Sequence, residues 1–187
     1  MSTSNKLPDL IGIGGTFASG KDSLARVLEE QFGFTHISTS NMVRAEAMKR
    51  YGNIERPTLQ KTAIELREES GSDILVKKAL DSTRPLIVSG IRTAGEVKAL
   101  KAAGGVMVFV DADPKLRYER MKNRLRDDEA LITFDEFIAR ETKEVSGAKT
   151  DADQNIGAVR ELSDVFLENN GSVDDFIASA IRELNKK

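Results

Sequence analysis

Cysteine is missing from this 187-residue chain, and histidine occurs once, as His36. The lack of cysteine excludes a disulfide scaffold and thiolate-ligated zinc, and it suits a reducing compartment. There is no run of about 18 apolar residues, so no segment reads as a membrane span. The opening stretch from Met1 to Asp9 is polar and carries no apolar run of signal-peptide type, so the expectation is a cytoplasmic protein. Neither sign of charge dominates. A formal net charge of -2 gives no general drive toward nucleic acid or an anionic membrane, and any polyanion must be held by a local basic cluster. Low-complexity segments are absent as well.

What is present is an ordinary globular composition, 40% hydrophobic and 31% charged, in a length that suits one domain spanning 1–187. Short apolar runs at Leu10–Ile13, Phe34–Ile37, Pro85–Ser89, Gly105–Val110 and Asp164–Leu167 read as strands. Between them lie helical patterns: Asp22–Phe32, Asn41–Arg50, a stretch with Leu59, Ala63 and Leu66 on one face, and another around Ile74, Val76 and Leu80. Continuous apolar strands alternating with helices require a parallel sheet covered on both faces. The expected fold class is therefore a three-layer α/β/α domain on a five-stranded parallel sheet, with its ligands beyond the carboxyl ends of the strands.

The strongest motif stands at one of those ends. Gly15-Thr16-Phe17-Ala18-Ser19-Gly20-Lys21 fits G-x-x-x-x-G-K directly after a strand and at the opening of a helix. Glycines let backbone N–H groups turn inward around a phosphate, the helix N-terminus adds positive potential, and Lys21 reaches the β- and γ-phosphates of a nucleotide. The expected ATP-binding residues are Gly15, Ala18, Ser19, Gly20, Lys21, Asp22 and Ser23. After the lysine comes Asp22, where the motif usually has Ser or Thr. Asp22 suits Mg²⁺ as a hard oxygen ligand, and it equally suits the helix dipole.

His36-Ile37-Ser38-Thr39-Ser40-Asn41-Met42-Val43-Arg44 resembles the H-I-S-T-G-D-M-L-R segment of adenylate kinase and the wider nucleoside monophosphate kinase family. Ser89-Gly90-Ile91-Arg92-Thr93 looks like a shortened form of that family's D-G-F-P-R-T, with Ser89 near the place of the family's acid. The resemblance implies a P-loop kinase fold with acceptor-binding helices at 41–84 and a short lid at 125–150. It places Thr39 beside the acceptor base, Arg44 and Arg92 on the acceptor phosphate, and Glu96 where a base-contacting glutamine stands; a solvated helix carboxylate is the other reading of Glu96. An arginine fork can hold a phosphate through two hydrogen bonds and fix the line of attack, which fits Arg44 and Arg92. Ser38 to Asn41 can also serve simply as a helix N-cap.

Six basic residues, Lys115, Arg117, Arg120, Lys122, Arg124 and Arg126, crowd a helical stretch after Asp113-Pro114. Arg120 and Arg124 share a face, and such a pair repels unless an anion lies between them. By resemblance these two contact the phosphates and adenine of ATP, and Arg140 is a lid arginine returning to the acceptor. The catalytic set expected is thus Lys21, Arg44, Arg92, Arg120 and Arg124. His36, within a strand, is expected to be structural, and Asp111 likewise holds no metal on this reading. Asn169-Asn170-Gly171 is either an adenine cradle or a plain turn.

The function implied is transfer of the γ-phosphate of Mg-ATP to a nucleoside or deoxynucleoside monophosphate by a monomer or homodimer. Two rivals stay open. Dephospho-coenzyme A kinase shares the cradle but usually has aspartates where 38–41 has none; a nucleotide-dependent ATPase or assembly factor would explain the missing acid at Ser89.

Overall fold

The computed structural model describes residues 7–123, 132–146, 150 and 152–187, with Ser146 described in its backbone only. Five strands, β1 (Leu10–Gly15), β2 (Thr35–Ser38), β3 (Leu86–Ile91), β4 (Val106–Asp111) and β5 (Val165–Glu168), form one sheet in the order β2-β3-β1-β4-β5. Every pairing is parallel. The expected three-layer architecture is present, and the strand after which the phosphate motif begins lies at the centre of the sheet.

Each face of the sheet is buried because neighbouring residues of a strand point to opposite sides. On one side Ile11, Ile13, Val108 and Val110 meet Leu24, Ala25 and Leu28 of α1 (Lys21–Phe32) and Phe176, Ala180 and Leu184 of α9 (Val173–Leu184). On the other, Leu10, Val88, Met107 and Phe109 meet α4 (Ile74–Ala79), α5 (Ala94–Ala102) and α8 (Ile156–Glu161) through Val76, Val97, Leu100 and Val159. Burying one such aliphatic side chain stabilises by roughly 1.5–3 kcal/mol, so two filled faces hold the sheet rigid under its ends.

Two smaller clusters matter for function. Between β2 and β3, α2 (Thr39–Tyr51), α3 (Arg56–Ser70) and α4 close over Val43, Ala63, Leu66 and Leu75. Following β4, α6 (Pro114–Asn123) and α7 (Phe134–Ser146) bury Met121 and Phe137 against Ala18 and Phe17 of the phosphate motif. Thus α7 rests directly on the loop.

Most element boundaries moved by one or two residues, and two of the shifts bear on the site. β3 runs through Ile91 rather than stopping at Ser89, and α2 starts at Thr39 rather than Asn41. In the second case Ser38 is the N-cap, its hydroxyl accepting from the Asn41 N–H at 3.4 Å, so the capping reading of this segment holds.

Candidate functional site

The phosphate motif forms the turn between β1 and α1. Gly15 has φ +137, and a Cβ there would stand 2.0 Å from the Val110 carbonyl oxygen; Gly20 has φ +104, and its Cβ would stand 2.2 Å from Asn169 Nδ2. Only glycine fits either place, which is why both motif glycines are needed. Ala18 holds φ +59 without being glycine, a strained conformation of the kind that persists where the surroundings enforce it. Lys21 Nζ donates to the Thr16 carbonyl and lies 3.5 Å from Ser19 Oγ, so its ammonium lies against the loop it serves. The first turn of α1 directs backbone N–H groups toward the same space.

Asp111, at the end of β4, accepts from Thr16 Oγ1 at 2.7 Å and from the Ala112 N–H at 2.9 Å. It braces the loop. Asn169 does more than end β5. Its Nδ2 donates to the Ser19 carbonyl at 2.9 Å, its own N–H donates to the Asp111 carbonyl at 2.8 Å, and its carbonyl accepts from Arg120 Nη2 at 2.8 Å. The turn after β5 is therefore a strut between the loop and α6.

Arg120 stands where the sequence placed a nucleotide contact, and its buried Nη1 has no hydrogen-bond partner among the described residues. Burial lowers its pKa below the usual arginine value. A buried guanidinium nitrogen without an acceptor is costly, and a phosphate oxygen would satisfy it. Arg124 and Arg126 lie outside the described residues, as do 125–131 and 147–149 of the lid stretch at 125–150. Arg117, counted with the basic cluster, is instead buried: Nε donates to the Ala112 carbonyl at 2.7 Å, and both terminal nitrogens pair with Glu141 of α7. A cavity of about 290 Å³ opens beside Thr16, with Asp111 and Glu141 on its wall together with Arg117 and Arg160.

On the β3 side the expected residues divide. Arg44 is half-buried on α2, and Arg92 follows β3 with 29% of its side chain exposed. Since β1 lies between β3 and β4 in the sheet, Arg92 and Arg120 flank the phosphate loop from opposite sides.

Thr39 and Glu96 take other work than the base contacts expected of them. Thr39 is 2% exposed, and its hydroxyl donates to the Gly90 carbonyl at 2.8 Å, tying α2 to the end of β3. Glu96 is fully buried. One oxygen accepts from the Arg92 and Thr93 N–H groups at 2.7 and 3.1 Å, and the other pairs with buried Arg67 at 3.0 Å. It closes a capping box with Thr93 at the start of α5. Buried and saturated, Glu96 is a structural carboxylate that sets the backbone of Arg92. Arg140 is exposed on α7, one helical turn before Glu144. Ser89, where the resemblance expects an acid, is buried with its Oγ 2.8 Å from His36 Nε2, so His36 has the structural partner expected.

Arg56 and Glu144 went unread in the sequence, and Asn169 was read only as part of a cradle or turn at 169–171. Arg56 opens α3, lies 6.0 Å from the Phe17 ring, and donates to Glu144 Oε1 at 2.9 Å, while Arg92 Nη1 donates to Glu144 Oε2 at 3.2 Å and to Gln154 Oε1 at 2.8 Å. No local pattern marks these residues, because each partner comes from a distant segment. Asn169 alone had a hint, in the Asn-Asn-Gly turn at a strand end.

The AAA_18 family model, described as an AAA domain, matches residues 11–142. A UPF0200 protein of Pyrobaculum aerophilum is 33% identical over 142 residues, covering 73% of this chain and 78% of that one. A UPF0200 protein of Methanococcus vannielii is 30% identical over 186 residues, covering 95% of each. In structure the chain is similar to a shikimate kinase from Bacteroides thetaiotaomicron, with a TM-score of 0.62 at 11% identity over 95% of this chain and 97% of that one. A gluconokinase from Sinorhizobium meliloti gives 0.57 at 15% identity over 97% and 94%. The fold is that of the P-loop kinases.

Proposed function

This chain belongs to the AAA_18 family and to the UPF0200 proteins, and on that premise we propose that it moves the γ-phosphate of Mg-ATP to a nucleoside or deoxynucleoside monophosphate. The observation that carries the reading is the pair of arginines on either side of the phosphate loop. On the β4 side, Arg120 is strutted to the loop through Asn169 and presents a buried, unpartnered nitrogen; on the β3 side, Arg92 is held by its backbone and remains partly open to solvent. A site that only bound or hydrolysed a nucleotide calls for the first arginine, whereas in this reading the second, bonded to Glu144 and Gln154 before the acceptor arrives, serves the acceptor.

In this reading the backbone of 15–21 and Lys21 hold the β- and γ-phosphates, and Arg120 neutralises charge on the donor side. Arg44 and Arg92 hold the acceptor phosphate so that an acceptor oxygen lies in line with the γ-phosphorus. Transfer through a loose transition state then needs positioning and charge stabilisation more than a strong base. That agrees with Ser89 and His36 bonding to each other rather than offering a carboxylate.

Magnesium fits this site as a passenger of the nucleotide. Among the described residues no group of three or more His, Asp or Glu can hold a metal, whereas Asp22, exposed in the first turn of α1, offers one hard oxygen, which is the small share Mg²⁺ takes from protein when phosphates and water supply the rest. When bound it supplies charge neutralisation on the phosphates. α7, packed on Phe17 and Ala18, helps keep water off the loop.

The test is ADP formation from Mg-ATP with a panel of ribo- and deoxyribonucleoside monophosphates, dephospho-coenzyme A, shikimate and gluconate, with Arg44→Ala in parallel. Turnover stimulated by a monophosphate and lost in Arg44→Ala is the expected result. Stimulation by dephospho-coenzyme A alone reassigns the acceptor, and ATP binding with no stimulation by any acceptor removes the kinase reading in favour of a nucleotide-dependent ATPase or assembly factor.

A further inference from the structure

Glu144 stands between two guanidinium groups that have no other reason to meet. Arg56 comes from the start of α3 and Arg92 from the end of β3, and each gives one N–H to a different oxygen of the same carboxylate, at 2.9 and 3.2 Å. Like charges brought this close repel unless an anion lies between them, so the pair is arranged around an anion position. The carboxylate filling it is 18% exposed, while the arginine side chains are 39% and 29% exposed, so the position can be reached from solvent. It also lies next to the chemistry, because the Arg56 guanidinium stands 6.0 Å from the ring of Phe17 inside the phosphate loop. Both arginines belong to the scaffold: Arg56 is in α3, and the Arg92 N–H is pinned by buried Glu96. Glu144 belongs to α7, within the lid stretch at 125–150.

We propose that Arg56 joins Arg92 as the anion clamp for the acceptor's phosphate, and that Glu144 is its resident occupant, displaced when the acceptor binds. The inference rests on the proposed acceptor being a phosphate monoester. The exchange is one of ion pairs and makes or breaks no covalent bond. A phosphate monoester brings three acceptor oxygens and nearly two negative charges where the carboxylate brings two oxygens and one charge, so the acceptor wins the clamp. The same exchange discriminates, since a neutral sugar hydroxyl offers nothing with which to displace Glu144. Once released, the end of α7 loses its tie to the β3 side and keeps its tie to α6 through Glu141 and Arg117, which couples acceptor arrival to the position of the helix that covers the loop.

The experiment is calorimetric titration of AMP, CMP, GMP, UMP and their deoxy forms into the whole chain and into Arg56→Ala, Glu144→Gln and Arg92→Ala variants. Arg56→Ala is expected to weaken the best-binding monophosphate by about tenfold or more, the scale of a lost charge-assisted hydrogen bond. Glu144→Gln is expected to tighten it by about two- to fivefold, the scale of removing a partly exposed ion pair that competes. If Glu144 were only a strut for Arg92, Glu144→Gln would weaken binding, and that sign overturns the proposal, as does an Arg56→Ala variant that binds like the parent. In either case a loss of binding in Arg92→Ala leaves the acceptor reading standing; no monophosphate binding at all, or binding indifferent to Arg92, overturns both. Should Arg56→Ala fold poorly, Arg56→Lys keeps the charge without the fork and is expected to weaken binding by a smaller factor than Arg56→Ala would.

Discussion

The two sides of the phosphate loop are built on different plans. The donor side is mostly backbone: a seven-residue turn whose shape is set by Gly15 and Gly20, braced by Asp111 and Asn169. The β3 side is mostly side chain: Arg56, Arg92 and Glu144 arrive on three separate stretches of chain, underpinned by a buried Arg67–Glu96 pair. Under the proposed function, a backbone cradle suits a triphosphate, whose shape does not vary, and a side-chain clamp can be rebuilt residue by residue to suit an acceptor, which puts specificity on the β3 side.

The largest expected effect strikes the β3 side from beneath. Arg67→Ala leaves the Glu96 charge buried without its partner, which costs about 3–5 kcal/mol, and thermal unfolding should fall by roughly 6–20 °C. A drop equivalent to under about 1 kcal/mol would mean that Glu96 is held by the Arg92 and Thr93 amides alone. Next, Lys21→Ala should slow single-turnover ADP formation about 10²–10³-fold while the melting temperature stays close to the parent's; equal losses in stability and rate would contradict a cradle that folds without its lysine.

Asn169→Ala separates the two sides. It removes the Nδ2 donor to the Ser19 carbonyl while keeping the backbone carbonyl that accepts from Arg120, at a cost of about 1–3 kcal/mol, and titrations should record weaker ATP binding with monophosphate binding spared. If both ligands weaken alike, the sides are not independent. The smallest effect is expected at Ala18. Its positive φ costs about 1–2 kcal/mol, and Ala18→Gly removes that strain against roughly 0.5–1 kcal/mol of added chain entropy, so denaturant unfolding should show at most about 1.5 kcal/mol of stabilisation. A loss instead would say that the Ala18 methyl packing under Phe137 outweighs the backbone.

Much of the fold was legible in the chain. Five apolar runs became five parallel strands, because a strand buried on both faces must be apolar throughout. The phosphate loop was legible because its function needs a fixed spacing of glycines over a few residues. Arg92 was singled out by the short motif after β3 and Arg120 by the basic stretch at 115–126, and their ligands belong to the proposed function. Thr39 and Glu96 were read as ligand contacts because motif position says nothing of burial: in the fold each is covered, and a covered polar group bonds to the nearest protein donor or acceptor. Arg56 and Glu144 had no signal, since a lone arginine at a helix start and a lone glutamate near a helix end are the commonest of surface residues.

By itself, then, the amino-acid sequence determined the parallel sheet, the loop at its centre and the presence of cationic groups after β3 and β4, all of which follow from periodicity and spacing within a few residues. Only the tertiary structure decided which polar side chains are sealed in the core and which stand together over the loop, because that depends on how helices from distant parts of the chain pack, and a charge can be read as ligand, strut or occupant only when the group facing it is known.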